Sequence, residues 1–293
     1  MKTLSAILAL TLSSTAFGQT VATMGYLYPG PVPVAPGQLI TVFLTGSVQG
    51  NVTATVQNLN APVIEVRAPQ SCSPTPCTST TAVTIQIPYA FGPSCIFTNP
   101  SCNLAVVSQL IVSVNGVAGT PFNVTPQADS VHILTACDTV LQSGSGMAQP
   151  NGLPCAPLLT HANGSMVSAA SPAVGGEALV AYAVGLGLTN PRVPTGQPAF
   201  AAPTTELYSL DFNFRPNALP TKPPAAAPFP GTLLIPQYAG TTPGYIGLYQ
   251  VNFVVPQPPA GTPACSSTVI SNLTISVGAT SFDGAGICVM PTN

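Results

Sequence analysis

Apolar residues recur along this chain in short runs, often at every second position, and the runs are separated by Pro, Gly, Asn and Ser. A period of two places alternate side chains on opposite faces of an extended segment, so these runs predict half-buried β-strands of an antiparallel sandwich. Leu110, Val112 and Val114 alternate with Ile111 and Ser113, and Asn115-Gly116 then offers the positive backbone angles of a two-residue hairpin turn. The chain is expected to return through Phe122 and Val124. A second hairpin has the same form: Leu273, Ile275 and Val277 alternate with Thr274 and Ser276, and Gly278 leads into a strand that returns to Cys288. Leu273, Ile275 and Val277 should face a core, with Thr274 and Ser276 turned outward.

Two further landmarks repeat in the same order. Pro36-Gly37-Gln38-Leu39-Ile40-Thr41-Val42-Phe43 corresponds to Gly175-Gly176-Glu177-Ala178-Leu179-Val180-Ala181-Tyr182, a glycine turn opening a strand. Val83-Thr84-Ile85-Gln86-Ile87-Pro88 corresponds to Val251-Asn252-Phe253-Val254-Val255-Pro256, a strand closed by proline. Three landmarks in one order predict two related sandwiches in tandem, over 19–127 and 128–293. The prolines at 220, 223, 224, 228 and 230 exclude a central strand there and predict an extended loop over 219–230.

Composition narrows the compartment and the partners. Met1-Lys2, the apolar stretch Leu4 to Leu12 and the small residues up to Gly18 read as a secretory signal peptide over 1–18. Its apolar core is about half the length that spans a bilayer, so a product without a membrane span is expected after cleavage. Only 4% of the 293 residues are charged, with 5 Lys plus Arg against 7 Asp plus Glu. Such a chain cannot neutralise a phosphate backbone, which argues against nucleic acid as a partner. Eight cysteines in an exported chain predict a disulfide framework. Sequence proximity pairs Cys72 with Cys77, Cys95 with Cys102, Cys137 with Cys155, and Cys265 with Cys288.

The sequence is poor in catalytic patterns. His132 and His161 are the two histidines, and no Gly-x-Ser-x-Gly elbow accompanies them. Asp129, His132 and Asp138 are close in sequence and read as solvated residues at the junction of the two units, while His161 reads as flanking the Asn163-Gly164 turn. No Cys-x-x-Cys pair, glycine-rich phosphate loop or calcium loop is present, so no metal and no cofactor is expected. Aromatic side chains offer a route to ligands: Tyr26 and Tyr28 beside Pro29, and Tyr238 and Tyr245 near Gly244, are candidate contact rings. Tyr249, in phase with Val251 and Phe253, should pack inward.

Glu177-Ala178-Leu179-Val180-Ala181-Tyr182-Ala183-Val184-Gly185-Leu186-Gly187, Thr195-Gly196-Gln197-Pro198-Ala199 and Pro243-Gly244-Tyr245-Ile246-Gly247-Leu248-Tyr249-Gln250-Val251-Asn252 carry a family resemblance. So do His161-Ala162-Asn163-Gly164-Ser165 and Ser168-Ala169-Ala170-Ser171-Pro172. Together they resemble the uncharacterised C-terminal domain of secreted proteins of Solibacter and other Acidobacteria, over about 128–290; Val34 to Ile40 resembles its companion segment more loosely. The resemblance implies an all-β fold, two immunoglobulin-like sandwiches of the transcription-factor-immunoglobulin kind, and it assigns no catalytic residue.

These readings together predict a secreted, non-catalytic module for structural or adhesive contact, at the bacterial cell surface or in the extracellular matrix. Its expected partners are other extracellular proteins, polysaccharide or further copies of itself. A carbohydrate-binding module is the alternative and a hydrolase the third reading. A histidine within hydrogen-bond reach of a serine or carboxylate in a pocket would favour the third.

Overall fold

The computed structural model describes residues 18–27, 32–68, 80–92, 108–142, 153–217 and 232–291, and these are organised entirely by strands. The first half supplies β1 (Val21–Gly25), β2 (Leu39–Thr45), β3 (Val52–Val56), β4 (Leu59–Ala61), β5 (Val63–Arg67), β6 (Thr80–Gln86), β7 (Ser108–Val114), β8 (Val117–Ala118) and β9 (Phe122–Val124). The second half supplies β10 (His132–Ile133), β11 (Leu159–His161), β12 (Ala178–Val184), β13 (Ser209–Asn213), β14 (Thr232–Leu234), β15 (Tyr238–Thr241), β16 (Tyr249–Val254), β17 (Leu273–Gly278) and β18 (Phe282–Ile287).

Each half builds two antiparallel sheets from its own strands. The first has the orders β1-β2-β6-β5 and β4-β3-β7-β8, with β9 also on β7. The second has β10-β12-β16-β15, with β11 also on β12, and β14-β13-β17-β18. In immunoglobulin lettering both halves read A-B-E-D against C′-C-F-G. The fold is therefore all-β, with two immunoglobulin-like sandwiches in tandem. The repeated landmarks fall on equivalent strands: the glycine turns open the B strands β2 and β12, the proline-ended runs are the E strands β6 and β16, and the two hairpins are F–G.

Local chemistry explains the hairpins. Asn115 and Gly116 have φ of 51° and 79°, as a two-residue primed turn requires, and they set Val114 opposite Val117. In the second hairpin Leu273 pairs with Ile287 and Gly278 with Phe282. Leu273, Ile275 and Val277 are fully buried in the second core beside Phe212, Tyr249 and Phe253, as alternation predicts. Thr274 and Ser276 lie on the opposite face but are only 2% and 5% exposed, so the expected solvation is not found. The cause is position. β17 is an interior strand whose opposite face is flanked by Asn213 and Asp211 on β13 and by Gly286 and Gly284 on β18.

The two halves are packed together. Tyr89 of the first half belongs to the second core, its hydroxyl 3.3 Å from that of Tyr249, while Leu134 and Val184 complete the first core. Gly196 N–H donates to Gln86 Oε1, Tyr89 N–H to the Thr195 hydroxyl, and the Ser130 hydroxyl to the carbonyl of Pro33. At Gly37 (φ 74°) an added Cβ would strike the Tyr89 ring, so glycine here allows both the turn and the aromatic contact across the junction.

Cys137 pairs with Cys155 and Cys265 with Cys288, with Cα–Cα separations of 5.8 and 5.7 Å. Such bonds persist in oxidising compartments. The pairs Cys72 with Cys77 and Cys95 with Cys102, positions 1–17 of the expected signal peptide and the proline-rich 219–230 stretch lie outside the described residues. None of the described residues forms a helix long and apolar enough to cross a membrane.

Candidate functional site

The junction encloses a polar cluster instead of a solvated one. Asp129 and Asp138 are fully buried, and His132 is 8% exposed. β10 places His132 opposite Val184, between the two halves. Its ring stacks on Tyr26 with centroids 3.9 Å apart and planes within 8°. His132 Nε2 lies 2.9 Å from Asp138 Oδ2 and Nδ1 lies 3.1 Å from Asp283 Oδ2. A protonated ring can donate to both carboxylates at once. Asp283 also accepts from the N–H groups of Ile133 and Gly284, and Asp138 from the N–H and the hydroxyl of Thr135.

Asp129 closes a different connection. It accepts from the backbone N–H groups of Thr280 and Ser281, from the Thr280 hydroxyl and from the Tyr208 hydroxyl. This single carboxylate ties the segment between the halves to the F–G turn of the second sandwich. Burial, and then Asp129 beside it, pushes the Tyr208 phenol far above its ordinary range. The expectation of solvated side chains therefore fails, because these carboxylates leave water to accept donors that the fold supplies. Asp283 is the member that sequence reasoning missed, being 151 positions from His132.

Candidate ligand-contact rings fare unevenly. Tyr26 is 5% exposed and is a junction residue, not a contact ring; burial drives its phenol far up in pKa, and Gln38 Nε2 donates to its hydroxyl. Tyr28 lies outside the described residues. Tyr238 is half-buried and donates to the Thr241 carbonyl. Tyr245 is 58% exposed. Tyr249 is fully buried, as its phase predicts.

The second histidine is more than a turn-flanking side chain. Antiparallel pairing of β11 with β12 sets His161 opposite Leu179 and brings the end of β11 beside Glu177. His161 Nδ1 lies 2.6 Å from Glu177 Oε1, and Nε2 lies 3.2 Å from the Ser171 hydroxyl and 3.2 Å from the Ser171 carbonyl. Glu177 Oε2 accepts the N–H of Val174, which fixes the carboxylate. The bond to Glu177 raises the pKa of His161. Burial alone would raise that of Glu177, but the bonds from His161 and Val174 outweigh it and hold the carboxyl below its usual range. Residues at positions 161, 171 and 177 meet only once strand register is known, so the spacing alone carried no signal.

Beside this cluster lies an apolar cleft of about 270 Å³ whose lining includes Leu159, Val167, Ser168, Ala169, Ile270 and Ile287. Elsewhere, β14 is the outermost strand of its sheet among the described residues. Leu210 faces the core, so Asp211 and its partner Leu233 face the other way. Leu233 is 69% exposed, Ile235 84% and Leu207 90%, and no charged residue occurs between 232 and 235. Among the described residues, no group of three or more His, Cys, Asp and Glu is arranged to hold a metal ion.

No family model and no curated protein matches this chain. Among solved structures it is similar to one titled "Anomalous substructure of Titin-A168169", at 10% identity over 94% of this chain and all of that one, with a TM-score of 0.18. The immunoglobulin assignment rests instead on the strand orders given above.

Proposed function

We propose that this chain is a secreted immunoglobulin-like module for structural or adhesive contact at the bacterial cell surface or in the extracellular matrix, and that it associates with its own copies through β14. The supporting observation is the strand Thr232–Leu234, which has no outer neighbour among the described residues and carries exposed Leu233 with Ile235 beside it. Sheet edges of soluble proteins are usually guarded by charge, proline or a bulge, because an open ladder templates another strand. This edge lacks charge, which fits a contact role.

Light scattering after size exclusion, across a concentration series, tests the reading. The unaltered protein should associate, and Leu233→Lys or Ile235→Lys should return it to monomer without loss of fold. A strict monomer that also binds no cell-surface material would refute it. Polysaccharide binding is the second reading, favoured by the exposed pair Phe200 (45%) and Tyr245, whose segments are joined by the Ala199 N–H to Tyr245 carbonyl bond of 2.9 Å. A glycan array without signal would remove it.

A further inference from the structure

We propose that Ser171 is a nucleophile activated by His161 and Glu177, and that it takes the acyl group of a carboxylic ester whose chain lies in the adjoining apolar cleft. This goes beyond the contact role, which the β14 edge serves independently.

The order of contacts carries the inference. Nucleophilic serine chemistry needs an acid on one imidazole nitrogen to fix tautomer and orientation, and the hydroxyl on the other so that its proton can leave. Here the acid is on Nδ1 at 2.6 Å and the hydroxyl on Nε2 at 3.2 Å. The acid is itself oriented by Val174 N–H, and the base sits at the end of a strand paired with β12. Ser171 is exposed, so an ester can reach it. Its turn is closed by reciprocal backbone bonds with Ser168, and Ser168 with Ala169 forms part of the cleft wall. Nucleophile and apolar cleft are thus joined by one four-residue turn.

Ser171 Oγ attacks the ester carbonyl carbon as its proton passes to His161 Nε2. The alkoxy C–O bond then breaks, and the leaving oxygen takes that proton. Water attacks the acyl-serine, giving its proton to His161, which returns one to Ser171 Oγ as the carboxylic acid departs. Below the raised pKa of His161 the imidazolium donates from Nε2, which satisfies the Ser171 carbonyl; above it Nε2 is free to accept the hydroxyl proton. Glu177 is the titratable side chain bonded to that ring. Ser171 N–H is engaged with Ser168 and offers nothing to an oxyanion. A missing oxyanion donor costs about 10²–10³ in rate, so slow turnover with detectable acyl-serine is expected.

The test treats the full chain with p-nitrophenyl butyrate over a range of pH, followed by acid quench and peptide mass mapping. Release of p-nitrophenol and a butyryl group on Ser171 are expected, both increasing as pH rises through the His161 titration. Ser171→Ala should abolish the adduct, and His161→Gln should slow its formation by at least about a hundredfold. Glu177→Gln should move the pH profile downward. Because the first measurement uses the unaltered protein, variant folding does not decide the result. Absence of an adduct on Ser171 with both this ester and a fluorophosphonate would overturn the proposal, as would an adduct mapped to another residue. Equal rates with acetyl and butyryl esters would overturn the role given to the cleft.

Discussion

Asp129→Asn isolates what one buried carboxylate contributes to this fold. Asp129 is fully buried and accepts four donors, two from backbone N–H groups and two from hydroxyls. The asparagine is nearly isosteric and keeps one oxygen, which can serve Ser281 N–H and the Thr280 hydroxyl. Its amide nitrogen replaces the oxygen that faces Thr280 N–H and Tyr208. Tyr208 adapts, since its one proton can go wholly to the Leu186 carbonyl at 2.9 Å, leaving its oxygen to accept from the new amide. Thr280 N–H cannot adapt and would face another donor. Losing a hydrogen bond to a charged group costs about 1.5–3 kcal/mol, and the remaining bonds lose their charge assistance, giving a total of about 2–4 kcal/mol. Glu206→Gln, on a half-exposed side chain, should stay within about 0.5 kcal/mol. The assay is urea unfolding followed by far-ultraviolet circular dichroism, the chain having no tryptophan. If both substitutions shift the midpoint equally, with unchanged slope, the buried cradle is not what holds the segment between the halves to the F–G turn.

Ile275→Ala, at a fully buried site between Phe212 and Ala285, should cost about 2–5 kcal/mol, and a loss below 1 would contradict the register of the second core. The His161–Glu177 pair should stabilise the fold by about 1 kcal/mol. With the histidine pKa raised, its share is complete below the ordinary value of about 6.5 and fades as pH rises through the raised one; with the glutamate pKa lowered, its share is complete above about 4.3 and fades as pH falls through the lowered one. A wild-type minus Glu177→Gln stability difference that fails to peak between those values would contradict the pairing. Reductant should lower the melting temperature more than sodium chloride does, because a lost native disulfide costs about 2–5 kcal/mol while an exposed ion pair contributes about 0–1. The reverse ranking in thermal unfolding would count against disulfides and apolar packing as the dominant forces.

The strands were legible because their signals are local. Leu273-Thr274-Ile275-Ser276-Val277 carries its period on its face, and Asn115-Gly116 carries its turn type, so the hairpins follow from a few adjacent residues. The Cys265–Cys288 bridge followed from the same hairpin, since β18 returns to the start of β17. The tandem arrangement was legible because three such signals recur in order. The clusters were not, because each depends on a register or a junction: Asp283 meets His132 across 151 positions, and Glu177 meets His161 only through the β11 and β12 pairing.

The charges themselves show why composition misled at the junction. In most chains a carboxylate between Pro, Gly and Ser segments is a surface residue, and the expectation of solvated Asp129 and Asp138 follows that rule. This chain has four aspartates and all four are buried. A sandwich pair with loops crossing its junction must satisfy backbone N–H groups that leave water, and a carboxylate can accept several at once where a serine or asparagine accepts fewer. Asp129, Asp138 and Asp283 do this at Thr280 and Ser281, at Thr135, and at Ile133 and Gly284. With so few acids in the chain, concentrating aspartates there leaves little carboxylate for the surface, and an apolar edge such as β14 is left without a charged guard. The uncharged β14 strand thus follows from a chain with few acids, three of whose four aspartates lie at the junction.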